Sequence, residues 1–535
     1  MFKKIVQSIE GQNISIGQWL IAFAGIVFIR FILEVISSPT QSGIIPVDAP
    51  TLIQYGLSFI AITLGLVCIV WCFTKGSTNL LKLILFCLPV IWIGPILDII
   101  FSAGIGHTIT YIFHGPKLLP VDFLTFFGPQ VTIGLRLELF IILLSVGLYV
   151  WKVKKSITKT TLSVLFSYIF LFSIFALPSI IYLLGNISDI GNQASTYNVL
   201  HFLIKNISES NISHNTIDAT LTYSSNNRAF ELGFDKLLSQ ISFLLSFVFM
   251  LFIFYKTQKE KFITIIKNSR PERVLFYTTL LGLGSVYAVK LNLGQTNNWI
   301  DLMSIITLII SWYGAWMFAV HINDIADEQI DLVSNPNRPI TNNKVSVTEM
   351  RETGYIWLLL SLLGAFSVGY YPFFMILTFT AAYYIYSYPP LRLKRIPLLS
   401  SFLISIACLS TIMAGFYFVS ATKTLSSFPG FLAIGIIVIF TLATNIRDIK
   451  DIEGDKKDGI LTIPVIFNNK GKKIVALMFS TSFILVPIFF SSYLLYISAI
   501  PASIIGYKIV TRKVYKENLV FCLYFVFFLS LLVLI

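Results

Sequence analysis

About fifteen apolar runs, most close to twenty residues long, succeed one another along the 535-residue chain. A helix rises about 1.5 Å per residue, so roughly twenty apolar residues match the ~30 Å hydrocarbon core of a bilayer. In the first half the runs lie near residues 17–37, 51–74, 80–105, 131–151, 161–184 and 236–256. In the second half they lie near 273–290, 297–320, 351–369, 371–388, 398–418, 428–446, 473–494, 496–511 and 517–535. Hydrophobic residues make up 56% of the chain and charged ones 12%, with mean hydropathy +0.81. A soluble chain of this length cannot hide so much apolar surface. The fold class is therefore all-α, a polytopic membrane protein with about 15 transmembrane helices.

The formal net charge of +13 does not point to nucleic acid, because the basic residues sit in short loops between apolar runs. That distribution sets orientation in the bilayer and attracts anionic headgroups or phosphorylated substrates. With the N-terminus in the cytoplasm, the inside segments are 75–79 with Lys82, 152–160, 257–272, 321–350, 389–397, 447–472 and 512–516, which hold most of the Lys and Arg. The long outside segment 185–235 carries only Lys205 and Arg228 against Asp189, Glu209, Asp218, Glu231 and Asp235. The first apolar run, behind a basic N-terminus, reads as an uncleaved signal anchor. The five cysteines all fall in apolar runs without a C-x-x-C pair, as small apolar filler does.

A basic, polar stretch between Tyr255 and Arg273 marks a boundary. It divides a six-helix domain, 1–256, from a nine-helix domain, 257–535. The intramembrane ionisable residues of the first are Arg30, Glu34, Asp98, Arg136 and Glu138. Such residues usually face the bundle interior, as structural ion pairs or as a polar pocket for a headgroup.

The chemistry lies in the second domain. Asn323 opens a stretch in which Asp324, Asp327 and Asp331 follow at spacings of three and four. At about 100° per residue the three carboxylates share a helical arc of roughly 60°. The same spacing returns as Asp448, Asp451 and Asp455, again where an apolar run ends. Between them, Pro336 and Pro339 hold Arg338 in a turn, and a Pro-Pro turn presents Arg392, Lys394 and Arg395. Arg447, Lys450, Lys456 and Lys457 interleave with the second set of aspartates. Single charged loops are ordinary at a membrane interface. Two acid stretches on one face, flanked by cations, make a site for Mg2+ and a diphosphate.

The elements N-D-x-x-D-x-x-x-D at 323–331, N-R-P-I at 337–340, Y-S-x-P-P-L-R-L-K-R at 386–395 and D-I-E-G-D at 451–455 resemble those of the UbiA-type membrane prenyltransferase family. The resemblance covers roughly 258–535, and residues 1–256 have no counterpart in the usual member. It implies a nine-helix bundle around a central cavity, in which a prenyl group passes from an isoprenyl diphosphate to an acceptor with Mg2+. By position, Asn323, Asp324 and Asp327 would hold one metal with Asp331 supporting. Asp451 and Asp455 would hold the other, with Asp448 as an added ligand. Asp324, Asp327, Asp451 and Asp455 are thus the expected catalytic carboxylates. Arg338, Arg392 and Lys394 would contact the diphosphate, with Lys450 and Lys456 as further substrate-binding cations.

Tyr383, Tyr384, Tyr386 and Tyr388 are candidates for an aromatic wall around a carbocation, with Tyr386 the one placed in the site. Where many members carry a tyrosine before the second motif, this chain has Arg447. The acceptor is expected to be a membrane-dissolved aromatic or a glycerol-phosphate lipid. Two other readings use the same carboxylates as cation ligands: a membrane transporter, and a catalytically degenerate lipid-binding scaffold. A transporter site normally lies near the bilayer midplane on broken helices, unlike these helix-end aspartates.

Overall fold

The computed structural model describes all residues except 1–8, 10, 13, 38–48, 76–79, 102–110, 187–195, 212–224, 295–297, 423, 451, 458 and 535. The described residues are helical or irregular, with no strand among them. The chain forms two compact units, Met1–Glu209 with Leu221–Lys259, and Ser210–Thr220 with Glu260–Ile535.

The first unit contains α1 (Ile16–Ser37), α2 (Ala49–Thr74), α3 (Leu80–Phe101), α4 (Ile133–Lys154), α5 (Ile157–Phe175) and α6 (Ser225–Thr257). Its ionisable residues have local partners. Glu138 pairs with Arg30 rather than with Arg136, whose Nε donates to the Val131 carbonyl at 3.0 Å. Asp98 accepts from Thr132 Oγ1 at 2.6 Å and from the Gly134 amide at 2.8 Å, at the N-terminus of α4. A carboxylate there meets unpaired amides and the positive end of the helix dipole.

The second unit contains α7 (Pro271–Lys290), α8 (Trp299–Ala326), α9 (Glu328–Ser334), α10 (Val347–Val368), α11 (Tyr370–Ser387), α12 (Leu399–Val419) and α13 (Gly430–Ala443). It continues through α14 (Ile452–Lys457), α15 (Gly471–Phe489), α16 (Tyr496–Thr511) and α17 (Glu517–Leu534). Two arcs of helices share a seam. One runs α7, α8, α10, α11, α12, and the other α12, α13, α15, α16, α17 and back to α7. The seam of α7 and α12 is close because each helix offers a glycine. A Cβ at Gly284 would strike the Ile412 carbonyl, and one at Gly415 the Leu281 carbonyl. Small residues of this kind let membrane helices approach backbone to backbone. Trp312, Phe379, Phe416, Tyr417 and Phe479 are fully buried within one continuous core.

Helices occupy all fifteen predicted positions, and twelve of those described are long and apolar enough to cross a membrane. The other three are α7, α10 and α11. Charged first turns or tyrosine-rich ends lower their apolar character. Large apolar side chains such as Phe28, Leu144, Val526 and Leu529 lie exposed, as lipid-facing residues do. All five cysteines are free. Cys68 and Cys408 are buried, whereas Cys72, Cys87 and Cys522 are exposed rather than filling a core.

Candidate active site

The site forms where α8 ends. Asn298 and Asp301 cap the start of α8 reciprocally, and the helix then runs 28 residues to Ala326. Asp327 steps out of helical geometry, yet its amide still reaches the Asn323 carbonyl at 2.9 Å. The Asp331 amide likewise reaches the Asp327 carbonyl at 2.8 Å. The track is bent but not broken, so Asp324, Asp327 and Asp331 stay on neighbouring faces. All three are buried.

Each carboxylate is held by cations from distant loops. Asp324 accepts from Arg338 Nη1 at 2.8 Å, from Arg270 Nη2 at 3.0 Å and from Asn268 Nδ2 at 2.6 Å. Asp327 accepts from Arg392 Nη2 at 2.7 Å, from Lys394 Nζ and from Asn323 Nδ2 at 3.1 Å. Asp331 accepts from Arg338 and from Asn335 Nδ2 at 3.0 Å. Burial pushes the Asp331 carboxyl up to about 6, although Arg338 pulls it down. Asn323 completes the group by accepting from Ser387 Oγ at 3.1 Å.

Three carboxylates thus face four cations, Arg270, Arg338, Arg392 and Lys394. Arg270 (φ +53°) and Arg392 (φ +43°) hold left-handed backbone, which costs a non-glycine residue about 1–2 kcal/mol. Ion pairing at both positions offsets it.

The second acid stretch approaches the first. Helix α14, which carries Asp455, packs against α9, which carries Asp331. Asp451 itself lies outside the described residues, as do the surroundings of the Asp455 side chain. Tyr386, on α11, lies within electrostatic reach of Asp327 from one stretch and of Asp448 and Arg447 from the other. The Arg447 guanidinium sits over the Tyr386 ring at 5.4 Å, and its Nε donates to the Thr444 carbonyl at 3.0 Å.

Beneath this layer is an aromatic cluster. Tyr277, Trp316, Phe379 and Tyr383 have ring centroids 4.9–6.3 Å apart, and the Tyr277 and Tyr383 hydroxyls bond each other. Tyr386 joins through Tyr383 at 6.3 Å. Tyr384 is exposed and stacks on Tyr388, so two of the four tyrosines do not face the cluster. A cavity of about 40 Å³, lined by residues that include Leu283, Ile436, Phe483 and Tyr524, lies in the same bundle.

Two further expected substrate-binding cations are placed as follows. Lys450 pairs with Glu517 at 2.8 Å, and Arg273 holds the other oxygen of Glu517 at 2.9 Å. Lys456 is exposed. Asn268 and Arg270 belong to the network although no motif marks them, Glu517 joins the second stretch through Lys450, and Ser387 is the serine of the Y-S-x-P-P-L-R-L-K-R element.

Among the described residues, two buried guanidinium nitrogens of the site, Arg392 Nε and Arg447 Nη2, have no acceptor. An unsatisfied buried guanidinium N–H is costly, and an anion satisfies it. Among the described residues no three of His, Cys, Asp and Glu converge as a ready-made metal cage. Carboxylate and amide oxygens are nonetheless the donors Mg2+ prefers, and it commonly takes only one or two carboxylates plus substrate phosphates. The carboxylates and cations present are of the kinds that suit Mg2+ and a diphosphate.

An all-helical membrane bundle with a carboxylate-and-cation mouth over an aromatic floor defines the class. Residues 277–532 match the model of the UbiA prenyltransferase family. The digeranylgeranylglyceryl phosphate synthase of Methanobrevibacter smithii is 28% identical over 29% of this chain and 56% of its own length. That of Sulfolobus acidocaldarius is 26% identical over 32% and 58%. The bacteriochlorophyll synthase 33 kDa chain of Rhodobacter capsulatus is 30% identical over 27% and 49%. The chain therefore spans about half the length of the curated relatives it matches. A solved UbiA homolog from Archaeoglobus fulgidus, bound to GPP and Mg2+, is similar at 19% identity and TM-score 0.41, over 50% of this chain and 97% of that one.

Proposed function

We propose that the protein is an integral-membrane prenyltransferase that moves a prenyl group from an isoprenyl diphosphate to a membrane-dissolved acceptor. Residues 257–535 are its catalytic domain, and the site and N-terminus face the cytoplasm. The observation that carries this is the buried mouth itself: three aspartates and four cations, two unpaired guanidinium donors, and an aromatic floor. The names of its relatives suggest either a glycerol-phosphate lipid or a chlorophyll-like aromatic as acceptor.

Transfer breaks the allylic carbon–oxygen bond of the donor, and the electron pair leaves with diphosphate. The acceptor oxygen or carbon forms the new bond and loses its proton. Arg338, Arg392 and Lys394 bind the departing phosphates, and Arg392 Nε and Arg447 Nη2 gain acceptors. Mg2+, when bound by Asp324, Asp327, Asp331 and the second stretch, supplies Lewis-acid neutralisation of the leaving group. Tyr386 and the cluster behind it exclude water and face the cationic carbon with π-electrons.

The test is mass spectrometry of products after the full-length protein meets geranylgeranyl diphosphate with geranylgeranylglyceryl phosphate or an aromatic acceptor. A prenylated product with either supports the reading. Intact donor with every acceptor and no lipid change in cells lacking the protein overturns it.

A further inference from the structure

A second cavity lies outside the half that carries the aspartates. It lies in the first unit, measures about 430 Å³, and is walled by α2 to α5 with the C-terminal half of α1. That volume falls within the roughly 300–1,000 Å³ typical of small-molecule pockets. Most of its wall is apolar, with Ile62, Leu66, Leu139 and Ile142 among the lining side chains.

Its polar lining forms two neighbouring groups. In one, Arg30 pairs with Glu138 and donates from Nε to the Tyr55 hydroxyl at 3.0 Å, and Tyr55 in turn donates to Glu34. In the other, Gln54 Nε2 donates to Tyr111 Oη at 2.8 Å and to Ser58 Oγ at 3.2 Å. One guanidinium stands against two carboxylates. The Arg30 and Glu138 side chains are only 4% and 3% exposed, whereas Glu34 is 18% exposed. Arg30 is shared between the two carboxylates, so among the described lining residues no cation is free to hold a phosphate head. The remaining contacts, an amide and hydroxyls, both donate and accept. A hydroxyl head matches such a mixed set, whereas an ammonium only donates.

We propose that this cavity binds a lipid alcohol, its chain against the apolar wall and its hydroxyl among Glu34, Gln54 and Tyr111. The site stands apart from the prenyl-transfer reading and does not depend on it.

The experiment photolabels the full-length protein, in phosphatidylcholine vesicles, with a diazirine-bearing hexadecanol and maps the labelled peptides by mass spectrometry. Labelling concentrates on the cavity-lining parts of α2 and α4. Excess hexadecanol lowers it at least fivefold, and equal hexadecyl phosphate or hexadecylamine does not. Ile62→Trp, which fills the cavity, lowers it as much. Label spread over lipid-facing residues and indifferent to hexadecanol overturns the proposal, as does equal competition by the phosphate or the amine. Should Ile62→Trp fail to fold, the competition series on the unaltered protein decides.

Discussion

Arg338 is the residue on which the mouth most depends, because one guanidinium bridges Asp324 and Asp331. Asp324 keeps Arg270 and Asn268 when Arg338 is lost, but Asp331 keeps only the Asn335 amide among these partners. Breaking one side of a buried pair costs about 3–5 kcal/mol, and the surviving contacts place Arg338→Ala near 3. The expected outcome is a clear fall in thermal unfolding temperature in detergent, with KM for the prenyl diphosphate raised at least tenfold. One nitrogen of Arg338, Nη1, reaches both carboxylates, and Arg338→Lys keeps the charge on a differently shaped head, so it recovers stability only in part. Tyr386 gives a second residue-scale prediction. Tyr386→Phe keeps the ring beneath Arg447 and most of the turnover. Tyr386→Leu removes a cation–π contact worth up to ~2 kcal/mol and slows turnover roughly tenfold or more, measured as product formed at saturating donor.

At the scale of elements, the site is held by a seam far from it. Gly284 and Gly415 let α7 and α12 meet, and α7 begins at Pro271, directly after Arg270. Gly415→Ala drives a Cβ into the Leu281 carbonyl, and overpacking of this kind costs about 1–3 kcal/mol. The expected result is a lower unfolding temperature, with Gly282→Ala, which meets nothing within 4 Å, as the neutral control.

Elements also explain what was legible in the sequence. The aspartate stretch could be read because its spacing is local, and helix geometry turns spacing directly into a shared face. Arg338, Arg392 and Lys394 were legible because proline turns fix short loops next to that face. Asn268, Arg270 and Glu517 were not, since they reach the network through packing between helices far apart in sequence. The partner of Lys450, Glu517, could not be read either, because helix packing brings it there from 67 residues away. Glycines in apolar runs look unremarkable until two helices are seen to touch.

For the whole molecule, the apolar runs established a membrane bundle, and the cavity in its first unit was invisible because pockets arise from what neighbouring helices leave empty. The second half carries the family likeness and the charged mouth, and the proposed chemistry requires both acid stretches to serve one ligand. Residues that act as a unit show non-additive losses. The decisive measurement is Mg2+-dependent diphosphate release from geranylgeranyl diphosphate by the full-length protein, its Asp324→Asn and Asp451→Asn variants, and the double variant. A shared site predicts that EDTA abolishes release, that each single change lowers it roughly a hundredfold or more, and that the double variant falls little further. Release that survives EDTA, or that neither substitution reduces, contradicts the account.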